Sequence, residues 1–198
     1  MSHTSFVTSA VASDIAPPLQ VAQWFNTDSP ITLDAMRGKV VVMHAFQMLC
    51  PGCVAQGLPQ ALRVHRGFAR SDVVVLGLHT VFEHHDAMSP VALKAFLHEY
   101  RVDFPVAVDL PAPDRPIPRT MQIYELRGTP SLIVIDRQGV IRLNHFGHLD
   151  DLQLGALLGA LLTEAVEPPA VGIAAPQGRQ KPGCDDSHCA VDLAGATS

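Results

Sequence analysis

The sequence predicts an α/β fold in which helices cover both faces of a central mixed β-sheet. Three observations carry this. Val40 to Phe46 is apolar on both faces apart from His44, and Val73 to Leu78 is a second valine-rich apolar run, so both read as strands covered on either side. Helical patterns alternate with such runs, which is the order that builds a sheet with helices packed on it. The late pair Ser131 to Ile135 and Val140 to Phe146, joined by Asp136-Arg137-Gln138-Gly139, has the composition of a hairpin and so adds antiparallel strands to a parallel set.

Taken in order, residues 1–17 are small and polar and run into prolines, which reads as a flexible N-terminal arm. Val21 to Phe25 and Ile31 to Leu33 are expected to be short entry strands separated by the turn-rich Asn26-Thr27-Asp28-Ser29-Pro30. One helix is expected from Pro51 to Phe68, kinked at Pro59. Pro90 to Tyr100 is a second helix, with Leu93, Phe96 and Leu97 among its apolar positions, and Phe104 to Val108 is a short strand. The Pro-rich loop Pro111 to Pro118 leads into a helix through Met121, Ile123 and Tyr124. The last helix starts at Asp150, a fitting N-cap, and repeats Leu154, Leu157, Leu158, Leu161 and Leu162 at helical spacing, a core stripe. Prolines, glycines and small residues then dominate, so residues 166–198 read as a flexible C-terminal tail and residues 18–165 as one domain.

Of 198 residues, 47% are hydrophobic, enough for a substantial core. A formal charge of −5 with only 14 Lys plus Arg argues against nucleic acid or an anionic membrane as partner. No apolar stretch approaches the length of a membrane span. Met1 to Pro18 has neither Lys nor Arg nor a sustained apolar segment, which is not the pattern of a secretory signal and sets the expectation of a reducing, cytoplasmic setting. The sequence assigns no oligomeric state.

Cys50-Pro51-Gly52-Cys53 follows the first buried run, where a strand hands over to a helix. With Cys50 at the N-cap, Pro51 takes the first helical position, where its missing N–H costs nothing and its fixed φ is already helical. The unpaired N–H groups of the first turn then favour a thiolate at Cys50, and the thiolate is the nucleophile. Cys53, one turn inside, lies beneath it and suits the resolving thiol. The same spacing supplies half of many zinc sites, but such a site needs about two more thiol or imidazole ligands, usually as a close pair. The other cysteines, Cys184 and Cys189, stand in the polar run Cys184-Asp185-Asp186-Ser187-His188-Cys189. That run is open to three readings: a solvated tail, a secondary thiol pair that forms a disulfide or relays electrons to Cys50 and Cys53, or a soft-metal ligand. His79, Glu83, His84, His85 and Asp86 follow the second buried run and read as a polar surface loop; with Cys50 and Cys53 they could instead hold copper. Arg115 and Arg119, flanked by prolines, read as solvated charges.

The conjunction of Cys50-Pro51-Gly52-Cys53 with Gly128-Thr129-Pro130-Ser131, Asp136 to Gly139 and Gly147 resembles the thioredoxin fold. It is closest to the redoxin branch of TlpA-like and ResA-like thiol-disulfide oxidoreductases, and more distantly resembles the AhpC/TSA-type peroxiredoxins. The resemblance implies a thiol-disulfide oxidoreductase with Cys50 and Cys53 as its redox-active pair and a cis Pro130 packed against them, leaving the backbone of Thr129 to face Cys50. It implies a thiol or disulfide protein substrate, a thiol electron donor and no organic cofactor. Three departures stand out. The Trp that commonly precedes the first Cys is Leu49 here. The buried acid of the preceding strand falls at His44, which is either a proton relay to Cys53 or a hydrogen-bonded core residue. The Thr or Ser that peroxiredoxins place three residues before the peroxidatic Cys is Gln47, whose amide can still donate a hydrogen bond to peroxide, while the close partner Cys53 favours dithiol exchange. Two alternatives remain: a peroxiredoxin-like thiol peroxidase, and a copper- or zinc-binding metallochaperone.

Overall fold

All seven residues of Val40–Phe46 (β2) are buried, as expected of a strand in the middle of a sheet. The structure, a computed structural model, describes residues 15–165. On one side β2 pairs in parallel with Val73–His79 (β3), from Val40 opposite Val73 to Phe46 opposite His79. On the other it pairs antiparallel with Ser131–Ile135 (β5). Beyond β3 lies Val106–Asp109 (β4), also parallel, and beyond that Val21–Phe25 (β1), antiparallel. Ile141–Phe146 (β6) closes the far edge as the second arm of a hairpin with β5. The sheet is therefore mixed and six-stranded, in the order β1-β4-β3-β2-β5-β6.

Side chains alternate across a strand, so β2 feeds two cores. Val40, Val42 and Phe46 pack under three helices, Leu58–Gly67 (α1), Pro90–Glu99 (α2) and Asp151–Thr163 (α4). The helices contribute Leu58, Ala61 and Val64, then Leu93 and Leu97, then Leu154, Leu158 and Leu161. Val41, Met43 and Ala45 face the opposite core, closed by Arg119–Ile123 (α3) and the residues after it through Met121, Tyr124 and Leu126. Helices thus lie on both faces. Among the described residues no helix is long and apolar enough to cross a membrane.

Three details differ from the expectations. Ile31 to Leu33 is not a strand. The Thr32 hydroxyl accepts from Ala35 N–H (3.3 Å) and Leu33 C=O from Met36 N–H (3.0 Å), so local bonds roll the segment into the 3-10 turn Asp34–Met36. The helix after Cys50 changes its winding just before Pro59. It runs through residues 51–67 with a π-helical stretch, Cys53–Gly57, in which Leu58 N–H reaches back five residues to Cys53 C=O. Pro59 has no N–H for the carbonyl of Ala55 and its ring would crowd that carbonyl, and the wider turn gives it room. Finally, contacts begin ahead of residue 18: Ile15 bridges to Val140 and Ala16 N–H donates to Gly139 C=O (2.8 Å).

Because β2, β3 and β4 are parallel, their C-terminal ends share one edge of the sheet, the edge where open α/β sheets place their functional loops. Cys50 follows β2 on that edge, and the segment 80–89 follows β3.

Candidate active site around Cys50 and Cys53

β2 ends at Phe46, and a tight turn closed by Cys50 N–H donating to Gln47 C=O (3.2 Å) delivers Cys50 to the head of the helix. Pro51 is the first helical residue, and Val54 N–H donates to Cys50 C=O (3.1 Å). Cys50 is half-buried and Cys53 fully buried, and both are free thiols. Burial pushes the Cys53 thiol up to about 12, against a smaller opposing pull from a hydrogen bond to the backbone of Gln47.

The opposite wall is the loop before β5. The Thr129–Pro130 bond is cis, and the Cys50 thiol donates to Thr129 C=O at 3.4 Å. Pro130 packs on the helix head: a Cβ placed on Gly52 would lie 3.2 Å from its Cδ. Two bonds pin the loop, the buried Ser131 hydroxyl donating to Gly128 C=O (2.7 Å) and Gly147 N–H donating to Pro130 C=O (2.8 Å).

Gln47 is 1% exposed and fully engaged. Its amide nitrogen donates to Glu83 Oε1 (3.3 Å) and Thr129 Oγ1 (3.5 Å), while its Oε1 accepts from Phe82 N–H (3.3 Å). One side chain therefore ties the turn after β2 to the segment after β3 and to the loop before β5. His44 lies under the helix, so close that a Cβ on Gly57 would fall 2.2 Å from its ring, and only glycine fits there. Burial, and then the charge of His148, holds the imidazole at about 4, well below its ordinary value. Its buried Nδ1 has no hydrogen-bond partner among the described residues.

A cavity of about 440 Å³ opens in front of Cys50, bordered by Leu49, Phe82, Glu83, Arg127, Thr129 and Phe146. Leu49 and Phe146 present large apolar surface beside the sulfur, at 56% and 46% exposed. Arg127 and Phe146 were not singled out by the sequence reading, although each stands next to a glycine of a quoted motif. Glu83, His84, His85 and Asp86 sit on an exposed loop, as the surface reading has it. His79 does not: it is the last residue of β3, 1% exposed and packed against Phe46, and burial holds it at about 4. Among the described residues no group of three His, Cys, Asp or Glu side chains gathers to hold a metal ion. Arg115 and Arg119 are exposed. Cys184 and Cys189 lie outside the described residues.

Solved structures of similar proteins share this architecture. The thioredoxin-like superfamily protein SPOA0173 is 58% identical, with a TM-score of 0.74 over 76% of this chain and 97% of its own. A thiol-disulfide isomerase from Corynebacterium glutamicum is 53% identical, with a TM-score of 0.73 over 76% of this chain and 98% of its own. Protein DipZ from Mycobacterium bovis is 28% identical over 153 residues, 76% of this chain and 21% of DipZ, and DipZ from Mycobacterium tuberculosis matches equally. The chain thus spans about a fifth of the length of these curated relatives. The fold is thioredoxin-like, of the kind found in thiol-disulfide oxidoreductases. The pattern of the AhpC/TSA family matches residues 12–144, a stretch that includes Cys50, Cys53 and Pro130, and the chain belongs to that family.

Proposed function

We propose that this protein catalyses thiol-disulfide exchange, with Cys50 as the attacking thiol and Cys53 as the resolving one. The Cys50 thiolate attacks a substrate disulfide. A bond forms between its sulfur and one substrate sulfur, the substrate S–S bond breaks, and the other half leaves as a thiolate and takes up a proton. Cys53, once deprotonated, attacks Cys50 Sγ, closing the intramolecular disulfide and releasing the second substrate thiol. The substrate is reduced by two electrons, the protein is oxidised by two, and a dithiol donor restores it. Thr129 and Pro130 line the path of the incoming chain, with the Thr129 carbonyl beside the attacking sulfur. No organic cofactor enters.

The observation that carries this reading is the unequal placement of two free thiols on one helix head, Cys50 half-exposed at a cavity and Cys53 fully buried behind it. The isomerase from Corynebacterium glutamicum supports it from outside. A peroxidase is the weaker reading, because the amide of Gln47 is spent on Glu83 and Thr129 and none of its bonds reaches the Cys50 sulfur. His44, against Gly57 with Nδ1 unpaired, is left out of the proton path. The test is a pair of variants acting on a model protein disulfide. Cys50→Ser abolishes reduction, and Cys53→Ser accumulates a mixed disulfide to Cys50 visible by mass spectrometry. If both variants reduce the disulfide at the wild-type rate, the mechanism is wrong.

A further inference from the structure

Among the described residues Arg127 is the only Lys or Arg bordering the Cys50 cavity, and Glu83 the only carboxylate. The arginine is held. Its guanidinium carbon lies 5.6 Å from the centroid of the Phe146 ring. That ring is laid over the backbone at Gly128, where an added Cβ would come within 2.8 Å of it. Phe146 in turn pairs with Ser131 at the end of the β5–β6 ladder, so the stack rests on the sheet. An arginine free in solvent loses rotamer freedom when it engages a partner. One already stacked on a fixed ring loses less, and its planar fork stays open to a carboxylate. The chain places this cation two residues before Thr129, whose carbonyl accepts from the Cys50 thiol. Glu83, which also borders the cavity, is tied to Gln47 and repels a negative group beside it.

We propose that Arg127, positioned by Phe146 and Gly128, selects protein clients in which an Asp or Glu flanks the cysteine that Cys50 attacks. This rests on the exchange reading above and names its substrate class. With a net charge of −5 the general field of the chain disfavours an acidic peptide, so a preference for one has to come from a local contact at the mouth. Complementary charge at a binding rim acts on partner choice and association rate, which is where this effect is read.

The experiment uses the full chain and disulfide-linked dimers of three blocked pentapeptides, Ala-Xaa-Cys-Xaa-Ala with Xaa as Glu, Gln or Lys, and follows kcat/KM for their reduction. The wild type is expected to rank Glu above Gln above Lys, with about a three- to fivefold gap between the extremes at low ionic strength, the size of one exposed ion pair. The gap narrows as salt shortens the Debye length to about 8 Å. Arg127→Gln collapses the Glu-to-Lys ratio toward one, Arg127→Lys keeps part of it, and Phe146→Ala lowers it while leaving the charge in place. Glu83→Gln widens it. A ratio unchanged by Arg127→Gln, or a wild type without charge preference, overturns the inference while leaving exchange intact. If the wild type reduces none of the three peptides, the exchange reading itself falls.

Discussion

At the scale of single residues, Cys50 and Cys53 are the same chemical group given unlike surroundings by three positions of sequence. Burial holds Cys53 as a neutral thiol up to about pH 12, so at neutral pH only a small fraction of it is the thiolate that can resolve a mixed disulfide. The resolution step should therefore speed up about tenfold per pH unit between pH 6 and 9, in proportion to that fraction. Loading Cys50 with a chromogenic thiol and timing its release by stopped flow checks this; a pH-independent rate would show that Cys53 sheds its proton more easily than its burial permits. Cys50, Cys53 and Pro130 were legible in the sequence because their spacing and neighbours are local. The contacts of Gln47, Arg127 and Phe146 were not legible, and the reason is topological. Gln47 reaches Glu83 and Thr129, 36 and 82 positions away, and Arg127 meets Phe146 only once β5 and β6 have paired. No short window of sequence contains such contacts.

Elements were read best where one periodic pattern agreed with its end signals. The α4 helix shows this: Leu154, Leu158 and Leu161 face the core and Asp150 caps the start, its Oδ1 accepting from Leu152 N–H at 2.9 Å. Asp150→Ala should lower stability by about 1 kcal/mol, the usual cost of losing such a cap, as a shift of the urea midpoint without change in slope. No shift would mean that α4 is fixed by its neighbours alone, chiefly Asp151 bonded to Gln60 and paired with Arg63 of α1. Reading failed where side chains competed with the backbone pattern. Ile31 to Leu33 has apolar ends, but its central Thr32 bonds forward to Ala35 N–H and pre-empts a strand. In the helix after Cys50, a lone Pro59 signals strain but not the local winding that accommodates it. A π-helical turn is found at Cys53–Gly57, where Gly57 admits the His44 ring beneath it.

For the molecule as a whole, the residues buried to build the helix-covered face set a pH window. His44 at the middle of β2 and His79 at the end of β3 are 2% and 1% exposed, and burial holds both at about 4 in the folded state against 6.5 for a free imidazole. Above pH 6.5 both states carry these rings neutral, and the stability they contribute is fully present. As pH falls from 6.5 toward 4 the unfolded chain binds protons that the folded chain refuses, and stability is lost at up to about 1.4 kcal/mol per pH unit for each ring. The thiol of Cys53 works at the other end: its value is raised, so above about pH 9 the unfolded chain ionises first and folding weakens. Carboxylates held below their usual range, Asp151 by Gln60 and Arg63 and Glu164 by Arg142, lose their contribution only at the acid end, below about pH 4.5. Urea midpoints measured from pH 4.5 to 10 should thus trace a plateau between about 6.5 and 9 that falls on both sides. His79→Leu keeps an apolar group against Phe46 and should flatten the acid-side slope, to which His44 and His65, also lowered by burial, contribute the rest. A wild-type midpoint level from pH 7 to 5 would mean that the two rings take up protons inside the fold, which in turn would require the face between the sheet and α1 and α2 to open to water.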